Sequence, residues 1–234
     1  MIAHRGGAGS EHRESSREAF VAAARMGYAF FELDLRADAF GRLAIWHGAG
    51  RERIATNEPF TPRPGSSPLY FDELIPLLGE DARFFLDLKN RPAVSALGAL
   101  VDRCGLWDRV CIGSFSQMRT QTAAQLLHDH HDRFPPTALT PQQIARCLVP
   151  QIHVPSFPPN IVSAQVPSTL AKYEAFRVAL QAKGILVIAW TVNDKAEMEL
   201  LLSNGVDGIM TDEPAILSDV CRAHSPTAEF QEGA

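Results

Sequence analysis

Two short stretches of this chain set charged side chains two residues apart inside apolar runs. Residues 30–35 read FFELDL and residues 84–89 read FFLDLK, which puts Glu32 with Asp34, and Asp87 with Lys89, on strand-like spacing. On a strand, residues two apart project to the same side, so each pair emerges together from an otherwise apolar segment. A single acid pair of this kind is most simply answered by an arginine or lysine. Two matching pairs at strand ends point instead to a divalent cation held by Glu32, Asp34 and Asp87. Carboxylate oxygens without cysteine or clustered histidine suit a hard ion, Mg²⁺ or Ca²⁺, with water or a substrate phosphate completing its shell.

His4 and Arg5 follow the short apolar opening MIA, and His47 closes the run LAIWH. Attack on a phosphodiester requires a base for the nucleophile, an acid for the leaving alcohol and positive charge near the phosphoryl oxygens. Two imidazoles can divide the first two tasks, because an unperturbed pKa near ~6.5 allows one to be neutral while the other is charged. His4 and His47 are therefore the candidate acid–base pair. Arg5 and Lys89 are the candidate clamp on the phosphate, beside the cation.

These residues need a scaffold that gathers strand ends. Apolar strand-like runs alternate with helix-length segments: MIAHRG, YAFFELDL, FFLDLK, VCIGSF, TALT, NIVSAQV, ILVIAWTV and GIMTD, with helices expected at 91–104, 116–130, 168–183 and 194–204. The segment SSREAFVAAARMG adds a helix with a serine cap and Gly27 as its stop. Eight strands in βαβ order predict a (β/α)8 TIM barrel, whose active sites lie where strands end and βα loops begin. LAIWH, following a turn at Gly41, reads as the return of a short β-hairpin inserted after the second strand. The proline-rich 57–68 is expected as a loop. One domain over 1–222 and a flexible tail over 223–234 are expected.

Net charge is −5 with scattered basic residues, which argues against a nucleic-acid or anionic-membrane partner. No apolar run is long enough to span a bilayer and none resembles a signal peptide, so a protein without stable membrane association is expected, cytoplasmic unless a leader was trimmed, in which case secreted. The widely spaced Cys104, Cys111, Cys147 and Cys221 read as reduced thiols. HDHHD at 128–132 has metal-like composition but sits at a helix end and reads as solvated surface. Gly6, Gly7 and Gly9 let the backbone pass close to a phosphate.

Taken in order, the motifs resemble the glycerophosphodiester phosphodiesterases. The matching elements are His4-Arg5-Gly6, Glu14-Ser15-Ser16, Ala19-Phe20, Glu32-Leu33-Asp34, His47, Asp87-Leu88-Lys89, Ser114-Phe115, Trp190 to Asn193, and GVDGIMTDEP at 205–214. The resemblance implies the same barrel, a small glycerophosphodiester substrate cleaved to glycerol 3-phosphate and an alcohol, and Trp190 as a wall of the alcohol pocket. Glu14, which also favours the start of the first helix through its dipole, is placed in that pocket too. The third carboxylate is aspartate where the family has glutamate, and Asp-Leu-Lys is similar to the sphingomyelinase D and phospholipase D toxins of the same barrel. Two alternatives follow: a phospholipase D-like enzyme releasing a cyclic phosphate from lysolipids or sphingolipids, and a noncatalytic barrel binding a phosphorylated ligand. The loop after His47, with three arginines and few large apolar residues, favours small water-soluble diesters.

Overall fold

The computed structural model describes residues 1–48, 57–148 and 151–224. In chain order the strands are β1 (Ile2–His4), β2 (Phe30–Ala37), β3 (Leu43–Ile45), β4 (Leu69–Tyr70), β5 (Arg83–Leu88), β6 (Val110–Gly113), β7 (Thr137–Ala138), β8 (Ile161–Pro167), β9 (Leu186–Trp190) and β10 (Gly208–Thr211). Eight of them, all but β3 and β4, run parallel and close into a barrel, because β1 pairs with β2 on one side and with β10 on the other. The expected eight staves are these eight strands. β3 returns antiparallel on β2, and β4, directly after the expected loop at 57–68, adds a further short antiparallel strand.

The helices are α1 (Arg17–Arg25), α2 (Phe71–Leu78), α3 (Pro92–Cys104), α4 (Gln117–His131), α5 (Pro141–Leu148), α6 (Ser168–Ala171), α7 (Glu174–Gln181), α8 (Lys195–Ser203) and α9 (Pro214–His224). Ser16, Ser116 and Asp194 cap α1, α4 and α8 by accepting from the third backbone amide onward. The helix expected over 168–183 is two helices. The buried Arg177 donates through Nη1 to the carbonyl of Ala171, at the end of α6, so a guanidinium satisfies groups that a continuous helix would have paired. α9 carries the chain to His224, two positions into the stretch read as tail; the rest of that stretch lies outside the described residues.

Alternation along β2 and β5 decides what faces where. Phe31, Leu33, Leu35, Phe84, Leu86 and Leu88 are buried outward against the helices, each contributing about 1.5–3 kcal/mol of transfer free energy. A second outer cluster around Phe176, Leu180, Val187 and Leu201 covers the other half of the barrel. Ile2, Ile188 and Met210 fill its interior, with Phe85 and Trp190 packed on them. The residues between the outward set, Glu32, Asp34 and Asp87, are left pointing in, and the register sets Asp34 opposite Asp87 and His4 opposite Glu32.

The loop from residue 57 is anchored. Phe60 bridges to Asp38 and packs 5.6 Å from the Trp46 ring. The fully buried Asn90 bonds both backbone groups of Ala37, the amide of Ala93 and the carbonyl of Glu58, which ties this loop to the end of β2 directly beside Lys89.

Candidate active site

The turn after β1 is built against steric preference. Arg5 has φ 49°, in the region that side chains rarely adopt, and is held there by Gly7 N–H donating to His4 and Ser15 N–H donating to the Arg5 carbonyl, both at 2.8 Å. Gly6 follows at φ 90°; a Cβ there would lie 3.1 Å from Ala19 Cβ and from Phe20 N. Only glycine lets the turn lie this close to α1, and that closeness aims His4 and Arg5 across the barrel mouth.

All of the candidate residues except Glu14 line one cavity of about 530 Å³ at the C-terminal ends of the strands, and Glu14 reaches it from the rim by bonding Arg5 at 2.9 Å. Lys89 Nζ lies between two acids, 2.8 Å from Asp34 Oδ1 and 2.6 Å from Asp87 Oδ2. Arg5 Nε stands 2.9 Å from Asp34 Oδ2 without hydrogen-bond alignment, and the Arg5 amide donates to Glu32 at 3.3 Å. His4 Nε2 is 3.8 Å from Glu32, and His47 Nδ1 is 3.8 Å from Glu14. The arginine or lysine that answers a buried acid pair is thus present alongside the acids.

These contacts pull the proton affinities apart. Burial, reinforced by the charge of Asp34, pushes the Glu32 carboxyl up to about 7. Burial raises Asp87 as well, despite Lys89, whereas in Asp34 the charges of Lys89 and Arg5 outweigh burial and hold the carboxyl below its usual range. Burial lowers His47. Burial would lower His4 too, but its hydrogen bond to Asp212 and the charge of Glu32 prevail and raise it.

Asp212 is a neighbour of His4 that the sequence does not single out. Its Oδ1 lies 2.7 Å from His4 Nδ1, and its Oδ2 accepts from Asn193 at 3.0 Å. Asn193 is fixed in turn by accepting from Thr211 Oγ1 and the Asp212 amide. The stretch GIMTDEP contained Asp212, but nothing in it indicates a partner at the opposite end of the chain. The HDHHD histidines lie elsewhere: His130 and His131 both bond Asp102 of α3 on the surface.

The donor set fits a hard cation in kind. Asp87 Oδ1 is buried without a hydrogen-bond partner, Asp34 Oδ2 has none that is aligned, and all three acids offer oxygen alone. Among the described residues no three acidic, histidine or cysteine side chains stand at metal-ligand spacing, since Lys89 fills the space between Asp34 and Asp87. Glu32, Asp34 and Asp87 are the residues that would hold such an ion. No described helix is long and apolar enough to cross a membrane.

The model of the glycerophosphoryl diester phosphodiesterase family matches residues 90–216. A curated relative, probable glycerophosphodiester phosphodiesterase 2 of Mycobacterium tuberculosis, is 32% identical over 94% of this chain and 89% of its own. Among solved structures, a phosphodiesterase of Oleispira antarctica in complex with the product sn-glycerol-3-phosphate superposes with TM-score 0.71 at 16% identity, covering 94% of this chain and 96% of that one. A glycerophosphodiester phosphodiesterase of Agrobacterium tumefaciens gives TM-score 0.70 at 19% identity over 94% and 98%. At these identities the structures speak for the shared barrel, while the family model and the relative speak for descent. The chain belongs to the glycerophosphoryl diester phosphodiesterase family.

Proposed function

We propose that this protein is a divalent-cation-dependent phosphodiesterase that hydrolyses glycerophosphodiesters to glycerol 3-phosphate and an alcohol, with His4 and His47 as its acid–base pair. The observation that carries this reading is the convergence of both imidazoles, Arg5, Lys89, the buried Glu32 and Asp34 and the half-buried Asp87 on one cavity. The name of the Mycobacterium tuberculosis relative and the product held by the Oleispira antarctica structure support the same substrate class.

Arg5 and Lys89 bind the phosphoryl oxygens, and the loss of either from its carboxylate is compensated by the incoming anion. His47 takes a proton from the attacking hydroxyl. His4, with Nδ1 occupied by Asp212, hands the proton on Nε2 to the departing alcohol oxygen. Trp190 and Glu14 flank the substrate. Glu32, Asp34 and Asp87 would hold a Mg²⁺ or Ca²⁺ ion, which when bound would supply Lewis-acid stabilisation of charge on the phosphoryl oxygens. Cys104, Cys111, Cys147 and Cys221 form no disulfide, which accords with the reducing, cytoplasmic setting proposed here.

The test is turnover of glycerophosphocholine, glycerophosphoethanolamine and bis-glycerophosphate by the purified chain with added Mg²⁺ or Ca²⁺, read as released glycerol 3-phosphate. Release from at least one of them is expected. No release from any of them overturns the reading.

A further inference from the structure

The cavity is divided by chemistry. Every ionisable side chain that lines it comes from β1, β2, β5 or the segments just after β1, β3 and β5, whereas the opposite side is built by Phe115, Leu139, Ile144, Leu148 and Trp190, with Gln165 and Thr191 as its uncharged polar members. Among the described residues lining that opposite side none is ionisable, and the hydroxyl of Ser114 is already committed to the Leu88 carbonyl and to Arg119. The acid–base chemistry proposed above uses nothing there except Trp190.

Two features make this side a chamber continuous with the charged one. Helix α5 closes it from outside, started by a reciprocal cap in which Gln143 Oε1 accepts from the Thr140 amide at 2.9 Å and Thr140 Oγ1 accepts from the Gln143 amide at 3.5 Å. At the junction stands Phe115, 58% exposed, with Lys89 Nζ 5.4 Å from its ring centre and the Trp190 ring edge-on at 6.4 Å. Pockets of roughly 300–1,000 Å³ bury whole drug-sized ligands, so the 530 Å³ available exceeds what a phosphate and its glycerol require. Apolar walls gain little from glycerol or ethanolamine, and Phe115 and Trp190 offer a choline group only their ring faces, whereas the whole wall removes a hydrocarbon chain from water.

We infer that the apolar half binds one hydrocarbon chain carried by the phosphodiester, so that chain-bearing glycerophosphodiesters are preferred to bare headgroup diesters. This rests on the proposed activity, and it reverses the preference for small diesters read from the loop after His47. The chain enters past Phe115 and Trp190, between β6 and β9, while the phosphate remains on Arg5 and Lys89. The hydrocarbon can sit on either side of phosphorus, as an acyl group on the glycerol or as the leaving alcohol.

Binding tests the chamber without turnover. In calorimetric titrations with methyl, butyl, hexyl and octyl phosphate, affinity should rise about fourfold per methylene until the chamber is full. Ala145→Glu, on an exposed residue of α5 that lines the cavity, and Ile144→Asp should each abolish that slope while leaving methyl phosphate affinity within twofold. An affinity that does not rise with chain length, or a slope untouched by Ala145→Glu, overturns the inference. Turnover then separates it from the activity on which it rests. Below micellar concentration, either 1-octanoyl-glycerophosphocholine or glycerophospho-octanol should exceed glycerophosphocholine at least tenfold in kcat/KM, and whichever gains locates the chain. Turnover of glycerophosphocholine with no gain from either chain removes this inference alone. Chain-dependent binding with no turnover of any diester removes the proposed activity alone.

Discussion

The imidazole of His4 donates through Nδ1 to the carboxylate of Asp212, 2.7 Å away across the seam where β1 meets β10. Asp212 is held below the usual carboxylate range because its bonds to His4 and Asn193 outweigh burial, so it accepts as an anion and fixes the His4 tautomer. Nε2 is thereby left for the cavity. Asp212→Asn keeps the shape but offers an amide, which reverses the tautomer preference and withdraws charge from His4. The expected result is a loss of about 10²-fold or more in kcat with KM within a few-fold, and an alkaline limb of the pH profile moved to lower pH. A purely structural role would change stability and leave the limb in place.

The two histidines carry opposite shifts, which fixes the shape of the rate profile. His47, lowered by burial, is neutral above a pKa that lies under 6.5, and as base it becomes inactive when pH falls through that value. His4, raised by Asp212 and Glu32 against its burial, keeps its proton above 6.5, and as acid it becomes inactive when pH rises through its own value. kcat/KM should therefore be bell-shaped around a plateau that includes pH 6.5. His4→Ala and His47→Ala should each cost about 10²-fold or more, with circular dichroism unchanged. A flat profile through the neutral range would remove the pair.

Glu32, Asp34 and Asp87, answered by Arg5 and Lys89, leave one negative charge uncompensated when all are ionised. A divalent cation should consequently raise the thermal midpoint of the protein as well as its rate, since it binds the folded state alone. EDTA should abolish turnover, and Glu32→Gln or Asp34→Asn should lower it by several orders of magnitude and remove the Mg²⁺- or Ca²⁺-induced thermal shift. Full activity in excess EDTA would take the ion out of the reaction.

Gly6→Ala isolates the backbone contribution. A methyl at φ 90° meets Ala19 Cβ and Phe20 N at 3.1 Å, so the turn must swing away from α1 and carry His4 and Arg5 with it. A destabilisation of about 1–3 kcal/mol is expected, visible as a fall of several degrees in Tm, together with a loss of kcat larger than unfolding explains. Equal Tm and equal kcat would show that the turn tolerates side chains.

Much of this site is legible in the sequence because strands encode sidedness in a period of two. Glu32, Asp34 and Asp87 alternate with leucine and phenylalanine, and their inward direction follows without knowledge of the rest of the chain. Register is not encoded in that way. That Asp34 pairs across from Asp87, so that Lys89 sits between them, depends on how β2 and β5 slide against each other. Asp212 stayed hidden because its partner is 208 residues distant. Helix α5 did carry a local signal, Thr140-Pro141-Gln142-Gln143, a cap followed by proline and a reciprocating glutamine. Its apolar residues Ile144, Cys147 and Leu148 stand at helical spacing, but eight residues are too short a run for that pattern to stand out. The apolar chamber it helps enclose was accordingly invisible.

The released product distinguishes hydrolysis from cyclisation. A glycerol hydroxyl adjacent to the phosphoester is an internal nucleophile whose effective molarity can reach about 10⁵ M or more, so a five-membered cyclic phosphate is a competent first product. That cyclic ester is still an anion, and Arg5 and Lys89 retain it after the alcohol has left. His4 and His47 each keep about a tenth of their side-chain surface open, 12% and 11%, which admits water to both imidazoles. The pair can then act in reverse, His4 as base for water and His47 as acid for the ring oxygen. Linear glycerol 3-phosphate, or its acylated form, is therefore the expected end product. Run in ¹⁸O water and followed by mass spectrometry, the reaction should place one heavy oxygen on phosphorus whether or not the ring forms first. An unlabelled cyclic phosphate that accumulates would show that the toxin-like course, and not hydrolysis, is what this barrel catalyses.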